Sequence, residues 1–186
     1  MIRIKKYDNK WAKDFLALKE KLESILGSLA ISIDHIGSTA VPHLGAKDVI
    51  DIQVTVDALT PEIKERFEAA GCPFNNAASD HVPLGADPSP HHWQKFLFSE
   101  PPGWRRANIH VRVSGCLNQR YALLFRDYLK AHPRAVPTVE LIKTRISALT
   151  EDIEAYLSIK DPVYDLLLIG AEEWAKATGW HNGYTQ

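Results

Sequence analysis

The sequence predicts one α+β domain, a mixed β-sheet with flanking helices followed by a helical C-terminal third. Three observations carry that prediction. The 186 residues match a single ordinary domain, and a 45% hydrophobic content is enough to build a core. Four short stretches alternate apolar and polar residues in the period of a strand, at 30–36, 49–56, 93–98 and 107–113. Past Gly115 the apolar spacing is that of a helix throughout.

Trp11, Phe15, Leu18, Leu22, Ile25 and Leu29 recur at spacings of three and four, which predicts an amphipathic helix entered at Asp8-Asn9 and fraying at Gly27. Strands follow at 30–36 and 49–56. Between them Ser38 or Thr39 can start a helical turn, which Pro42 and Gly45 keep short. Thr60-Pro61-Glu62 opens a second helix, with Ile63, Phe67 and Ala70 inward and Gly71 at its end. Residues 72–92 hold Asn75-Asn76, Pro83, Gly85, Pro88 and Pro90 and predict no regular element, only a long connection suited to a lid. Strands at 93–98 and 107–113 are expected to pair across Pro101-Pro102-Gly103. Asn118 caps the next helix, with Tyr121, Phe125, Tyr128 and Leu129 inward. Another helix follows Pro137, with Ile142, Ile146 and Leu149 inward. Asp161-Pro162 opens the last, with Leu166, Leu167, Ile169, Ala171 and Trp174 as core and Gly179 as its stop.

Charge and cysteine content exclude several function classes. Twenty-two basic residues against 23 acidic ones leave a formal charge of -1 and no basic stripe, so nucleic acid is a disfavoured partner. Cys72 and Cys116 are too few for a disulfide framework and lack basic neighbours that would make them nucleophiles. The charged opening is no signal peptide, and no apolar run reaches membrane length. A cytoplasmic protein without membrane contact is expected.

Residues 34–54 are the most informative. A strand ends in Gly37, where backbone can approach a ligand, and Ser38 and Thr39 then offer hydroxyls and free N–H groups at a helix start. That is a phosphate cradle. Lys47 would neutralise phosphate, and Asp51 on the next strand is an oxygen ligand suited to Mg²⁺. The same residues also suit a strand, a turn and a capped helix with no ligand. A Walker A loop is excluded, because the glycine spacing is wrong and Asp48 follows Lys47 where a hydroxyl residue belongs. Arg106 and Arg112, with Arg105, can clamp phosphate oxygens, a solvated charged loop being the alternative and the better fit for Arg105. His81, His91 and His92 read as surface histidines. His35 and His110 suit either ligand contact or hydrogen bonding within the core.

The segment His-Ile-Gly-Ser-Thr-Ala-Val-Pro from His35, with Ala46-Lys47 and Ile50-Asp51-Ile52, closely resembles the signature of the GrpB family (UPF0157-like). An Asn-Ile-His-Val strand from Asn108 and the stretch Phe-Arg-Asp-Tyr-Leu-Lys-Ala-His-Pro from Phe125 are similar to further family segments. The resemblance covers nearly all of residues 1–186, and is strongest to the domain fused behind dephospho-CoA kinase in actinobacteria. It implies the polymerase-β-like nucleotidyltransferase fold, with 1–115 as that core and 116–186 as a helical extension. By the same resemblance Gly37 and Ser38 match the phosphate-holding pair and Asp51 the metal-holding acid. If the chain is an enzyme, Ser38 and Thr39 would hold the phosphates, Asp51 Mg²⁺ or another divalent metal, and His110 would complete the metal site or act as a general base. Gln53 stands where the superfamily has its second acid, and no acid is found on the 107–113 strand. His35, Gln53 and Asn108 are further cleft candidates. A nucleotide or phosphorylated small molecule is thus the expected ligand, with nucleotidyl transfer weakly supported. The alternative is a noncatalytic binding or protein-folding accessory domain.

Overall fold

The computed structural model describes residues 2–182, so the last four residues of the expected helical extension lie outside the described part. Helix α1 (Lys10–Leu26) leads through a 3₁₀ turn at Gly27 into strand β1 (Ser32–Ile36). A 3₁₀ turn (Ser38–Ala40) and an irregular stretch precede β2 (Ile50–Val56) and α2 (Pro61–Ala69). Strands β3 (Phe74–Ser79), β4 (Gln94–Ser99) and β5 (Ala107–Val113) follow. The chain then turns helical, in α3 (Leu117–Ala131), α4 (Val136–Leu149) and α5 (Ile153–Thr178).

The sheet order is β1-β2-β5-β4-β3. Strands β2 and β5 run parallel at its centre, and every other pair is antiparallel. Alternation divides the two central strands cleanly, because successive side chains point to opposite faces. Ile50, Ile52, Val54 and Val56 share one face with Ala107, Ile109 and Val111, and pack there with Trp11, Phe15, Leu18, Leu22 and Leu26 of α1 and Ile63 and Phe67 of α2. The other face carries Asp51, Gln53 and Thr55 directly beside Asn108, His110 and Arg112. Helix α3 packs against this polar face.

The expected elements are present, and the misplacements have physical reasons. Strand β3 was not expected, since its residues include no β-branched one. It forms by pairing as an edge strand with β4, with an irregularity between Phe74 and Ala77. Thr60 precedes α2, but its Oγ1 makes no cap bond and has no partner. Asn118 does not cap α3. Cys116 occupies that position and Asn118 points inward, 1% exposed. Leu149 is an exposed end of α4 rather than core. Helix α5 begins well before Pro162, because Asp152 caps it by accepting from the Glu154 N–H at 3.0 Å. Pro162 is carried inside the helix, and its face toward the molecule is set by Tyr156, Ala171 and Ala175. Leu166 and Ile169, expected in the core, are exposed.

Candidate functional site

At the C-terminal end of β1 the chain must turn beside the first residues of β2, and Gly37 makes that turn at φ +66°. A Cβ built there would lie 2.5 Å from Asp51 Oδ2 and 3.0 Å from Asp51 Cβ. Glycine is therefore required twice, for its left-handed backbone and for the carboxylate against it. Gly37→Ala is expected to cost about 2–4 kcal/mol by urea denaturation, combining left-handed strain with a contact that cannot relax without moving Asp51. A cost below 1 kcal/mol would show that the loop yields easily.

Asp51 accepts from Asn108 Nδ2 at 2.8 Å, and His110 Nε2 lies 3.9 Å from the same oxygen. Burial opposes its charge, but His110, Asn108 and Lys47 outweigh that effect and hold the carboxyl below the ordinary carboxylate range. His110 moves down in pKa chiefly through burial, with Arg112 and Lys95 adding to the effect against the pull of Asp51.

Gly37, Ser38, Lys47, Asp51, Asn108, His110 and Arg112 line one cavity of about 570 Å³. Its far wall was not foreseen. Asp80 and His81 follow β3, Lys95 comes from β4, Tyr121 and Phe125 from α3, and Leu157, Lys160, Asp161 and Tyr164 from α5. His81 Nε2 meets Asp165 Oδ1 at 2.9 Å, tying the 80–92 connection to α5 over the opening.

Several expected residues take other positions. His35 pairs with Ile52 in the sheet and so faces α1 rather than the cavity. It stacks on Phe15 with ring centres 4.8 Å apart and shares a 2.9 Å hydrogen bond with Thr39 Oγ1. Burial, the largest influence, lowers His35 to about 4. Thr39 is thereby turned into the core, its hydroxyl committed to His35. Gln53 is fully buried beneath α3, donating to the Gln119 carbonyl at 3.1 Å and accepting from Arg112 Nη1 at 2.7 Å. Arg112, 5% exposed, sits in the cavity floor with its donors already used on Gln53 and Asp80, so it is not a free phosphate clamp. Arg106 is exposed outside the cavity lining. Arg105 is held away by Asp14 and Asp48.

The donor set does not fit a pair of divalent ions. Gln53 brings no charge, and its oxygen is spent on Arg112. Asp80 accepts from Arg112 Nε at 2.8 Å, from Arg112 Nη2 and Asn118 at 3.1 Å, and from Lys95. That leaves Asp51 as the one cavity carboxylate of the sheet strands, too little charge to hold two ions. Among the described residues no three His, Cys, Asp or Glu side chains are placed to share a metal, and no helix is long and apolar enough to cross a membrane.

Comparison with known proteins extends these observations. The chain is 33% identical over 195 residues to a dephospho-CoA kinase of Mycolicibacterium paratuberculosis, a match covering 96% of this chain and 48% of that protein. It is 29% identical over 180 residues to the UPF0157 protein YqkA of Bacillus subtilis, covering 95% and 49%. The chain thus spans about half the length of these relatives. The crystal structure of the conserved protein GrpB from Enterococcus faecalis superposes with a TM-score of 0.71 at 23% identity, covering 96% of this chain and 100% of that one. Cid1 in complex with its product ApU gives 0.51 at 18% identity, covering 75% and 42%, a likeness of fold to a nucleotidyltransferase. The family described as GrpB protein matches residues 1–168, nearly the whole chain, and the chain belongs to the GrpB family.

Proposed function

We propose that the cavity binds a nucleotide or another phosphorylated small molecule, and that this chain acts as a binding module rather than a two-metal transferase. The observation that carries this reading is the lining beside the Gly37-Ser38 turn, where Lys47, Lys95, Arg112 and Lys160 face Asp51, Asp80 and Asp161 in one cleft. The balance is mildly basic, which suits an anion better than cations. The volume lies within the range of small-molecule sites, and Trp93, Tyr121, Phe125 and Tyr164 put aromatic side chains into its lining. Relatives named as kinases of dephospho-CoA make that compound a natural member of the test panel. The absence of a second sheet acid favours binding over catalysis, which also accommodates an accessory role beside another domain.

The test is a thermal-shift panel of nucleoside mono-, di- and triphosphates and dephospho-CoA, each with and without Mg²⁺. A ligand at about 100 times its Kd is expected to add roughly 2.7 kcal/mol, raising the melting temperature by about 5–10 °C for a chain of this size. Lys47→Met is expected to weaken that ligand about tenfold, the loss of one charge-assisted contact. No shift from any phosphate compound would overturn the reading.

A further inference from the structure

Beside the Gly37-Ser38 turn, sharing part of its lining with the cavity, lies a smaller recess of about 170 Å³ that the sequence motif does not explain. Gly37, Ser38, Lys47 and Asp51 form one side of it. The other side comes from the C-terminal helices, with Lys143 of α4 and Tyr156, Lys160 and Tyr164 of α5. Three lysines therefore meet one carboxylate of the recess. Lys143 is 4% exposed, and its Nζ donates to the Gly45 carbonyl at 2.6 Å, leaving two N–H groups. Lys47 lies 6.0 Å from the centre of the Tyr156 ring. Lys160 lies over Tyr164 and pairs with Asp161 at 2.8 Å on the outer side.

We propose that this recess binds a pyrophosphate-type group directly through Lys47, Lys143 and Lys160, without a divalent ion. The proposal rests on the reading of the cavity as a site for phosphorylated ligands, and names which part of the ligand enters which part of the site. Two linked phosphates fit better than one on size, since the recess offers on the order of ten water-sized positions, at about 10–15 Å³ each. Three lysines against one carboxylate leave an excess of positive charge that suits a phosphate-type anion better than a singly charged carboxylate. The protein groups facing Lys143 are Asp51, Glu140, Lys47 and Lys160, two of each sign, and the Glu140 carboxylate is already engaged with the Gly45 N–H at 2.8 Å. Burial, more than any of these neighbours, pushes Lys143 down to about 7. An anion in the recess would return the charge that burial opposes.

Isothermal titration of the full chain with inorganic pyrophosphate, in EDTA and then in excess Mg²⁺, decides the matter. Binding is expected in EDTA and is expected to weaken when Mg²⁺ neutralises the anion. Asp51→Asn, which keeps the side-chain shape, is expected to tighten binding about 3- to 10-fold by removing like charge, and Lys143→Met to weaken it at least tenfold. Circular dichroism of both variants establishes that they fold. If pyrophosphate binds only with Mg²⁺ and binding is lost in Asp51→Asn, a metal carries the contact and the proposal fails, while the phosphate-ligand reading stands. If a nucleotide or dephospho-CoA binds but pyrophosphate neither binds nor competes, and Lys143→Met changes nothing, the proposal again fails alone. If no phosphate compound binds under any condition, both readings fail together.

Discussion

Asp80→Ala is expected to destabilise the protein by about 3–5 kcal/mol in urea denaturation, a fall in melting temperature on the order of 10 °C or more. Asp80 is the shared anion of a buried cluster. Arg112 reaches it with two nitrogens, at 2.8 and 3.1 Å, Asn118 at 3.1 Å, and Lys95 also donates to it. Arg112 and Lys95 are 5% and 8% exposed, so removing the carboxylate strands two largely buried cations. Lys95→Met in the Asp80→Ala background is expected to recover part of the loss by deleting one stranded charge. No recovery would show that packing rather than charge sets the cost. The pH dependence has a definite sign. Burial opposes the Asp80 charge, but Arg112 and Lys95 outweigh it and hold the carboxyl far below the ordinary carboxylate range. A folded-state pKa depressed in this way gives stability that is present above about pH 4 and lost as the pH falls toward the folded value. The difference between wild type and Asp80→Ala should therefore be flat from pH 5 to 8 and shrink below 4.

This cluster shows where the sequence was legible and where it was not. Strand alternation put Asn108, His110 and Arg112 on one face, because a period of two assigns a face without knowledge of the fold, whereas the β2–β5 register brings Asp51 beside Asn108. The same rule, applied across the β1–β2 register, sends His35 to the α1 face, and only the pairing of His35 with Ile52 reveals which face that is. Arg112 read as a phosphate clamp because its partner Asp80 lies in the irregular 72–92 stretch, 32 positions away, and no local pattern brings the two together. The helical wall was missed for a different reason. Lys143 follows Val139 and precedes Ile146 at spacings of four and three, on the buried stripe of α4. A lysine in that stripe was a visible signal, but it conflicts with the apolar pattern, and the reading kept Ile142 and Leu149 instead. Pro162 marked a helix start by the general rule for proline, yet the Asp152 cap overrides it and carries Tyr156, Leu157 and Lys160 over the cleft. The elements followed local spacing, whereas the cavity follows from where the C-terminal helices return, which spacing does not encode.

Lys143→Met is expected to be more stable than the wild type at pH 7 and to lose that advantage by pH 10. The unfolded lysine titrates near 10.5, and burial lowers the folded one to about 7. Between those values the unfolded chain binds the extra proton, so wild-type stability rises with pH by a little over 1 kcal/mol per unit, about 4 kcal/mol from pH 7 to 10. Methionine fills similar space without a charge, but leaves the Gly45 carbonyl without its 2.6 Å donor at a cost of about 1–3 kcal/mol. The net expectation at pH 7 is a gain of about 2 kcal/mol, or roughly 4–8 °C in melting temperature. A difference that does not change with pH would mean that Lys143 folds with its charge already satisfied. If the order reverses as expected, Lys143 is held in place against stability, between Val139 and Ile146 on the buried stripe of α4. A residue that weakens the free protein and faces a recess shared with Lys47 and Lys160 is accounted for by what enters that recess. The same substitution should therefore raise the melting temperature of the free protein and abolish its response to pyrophosphate.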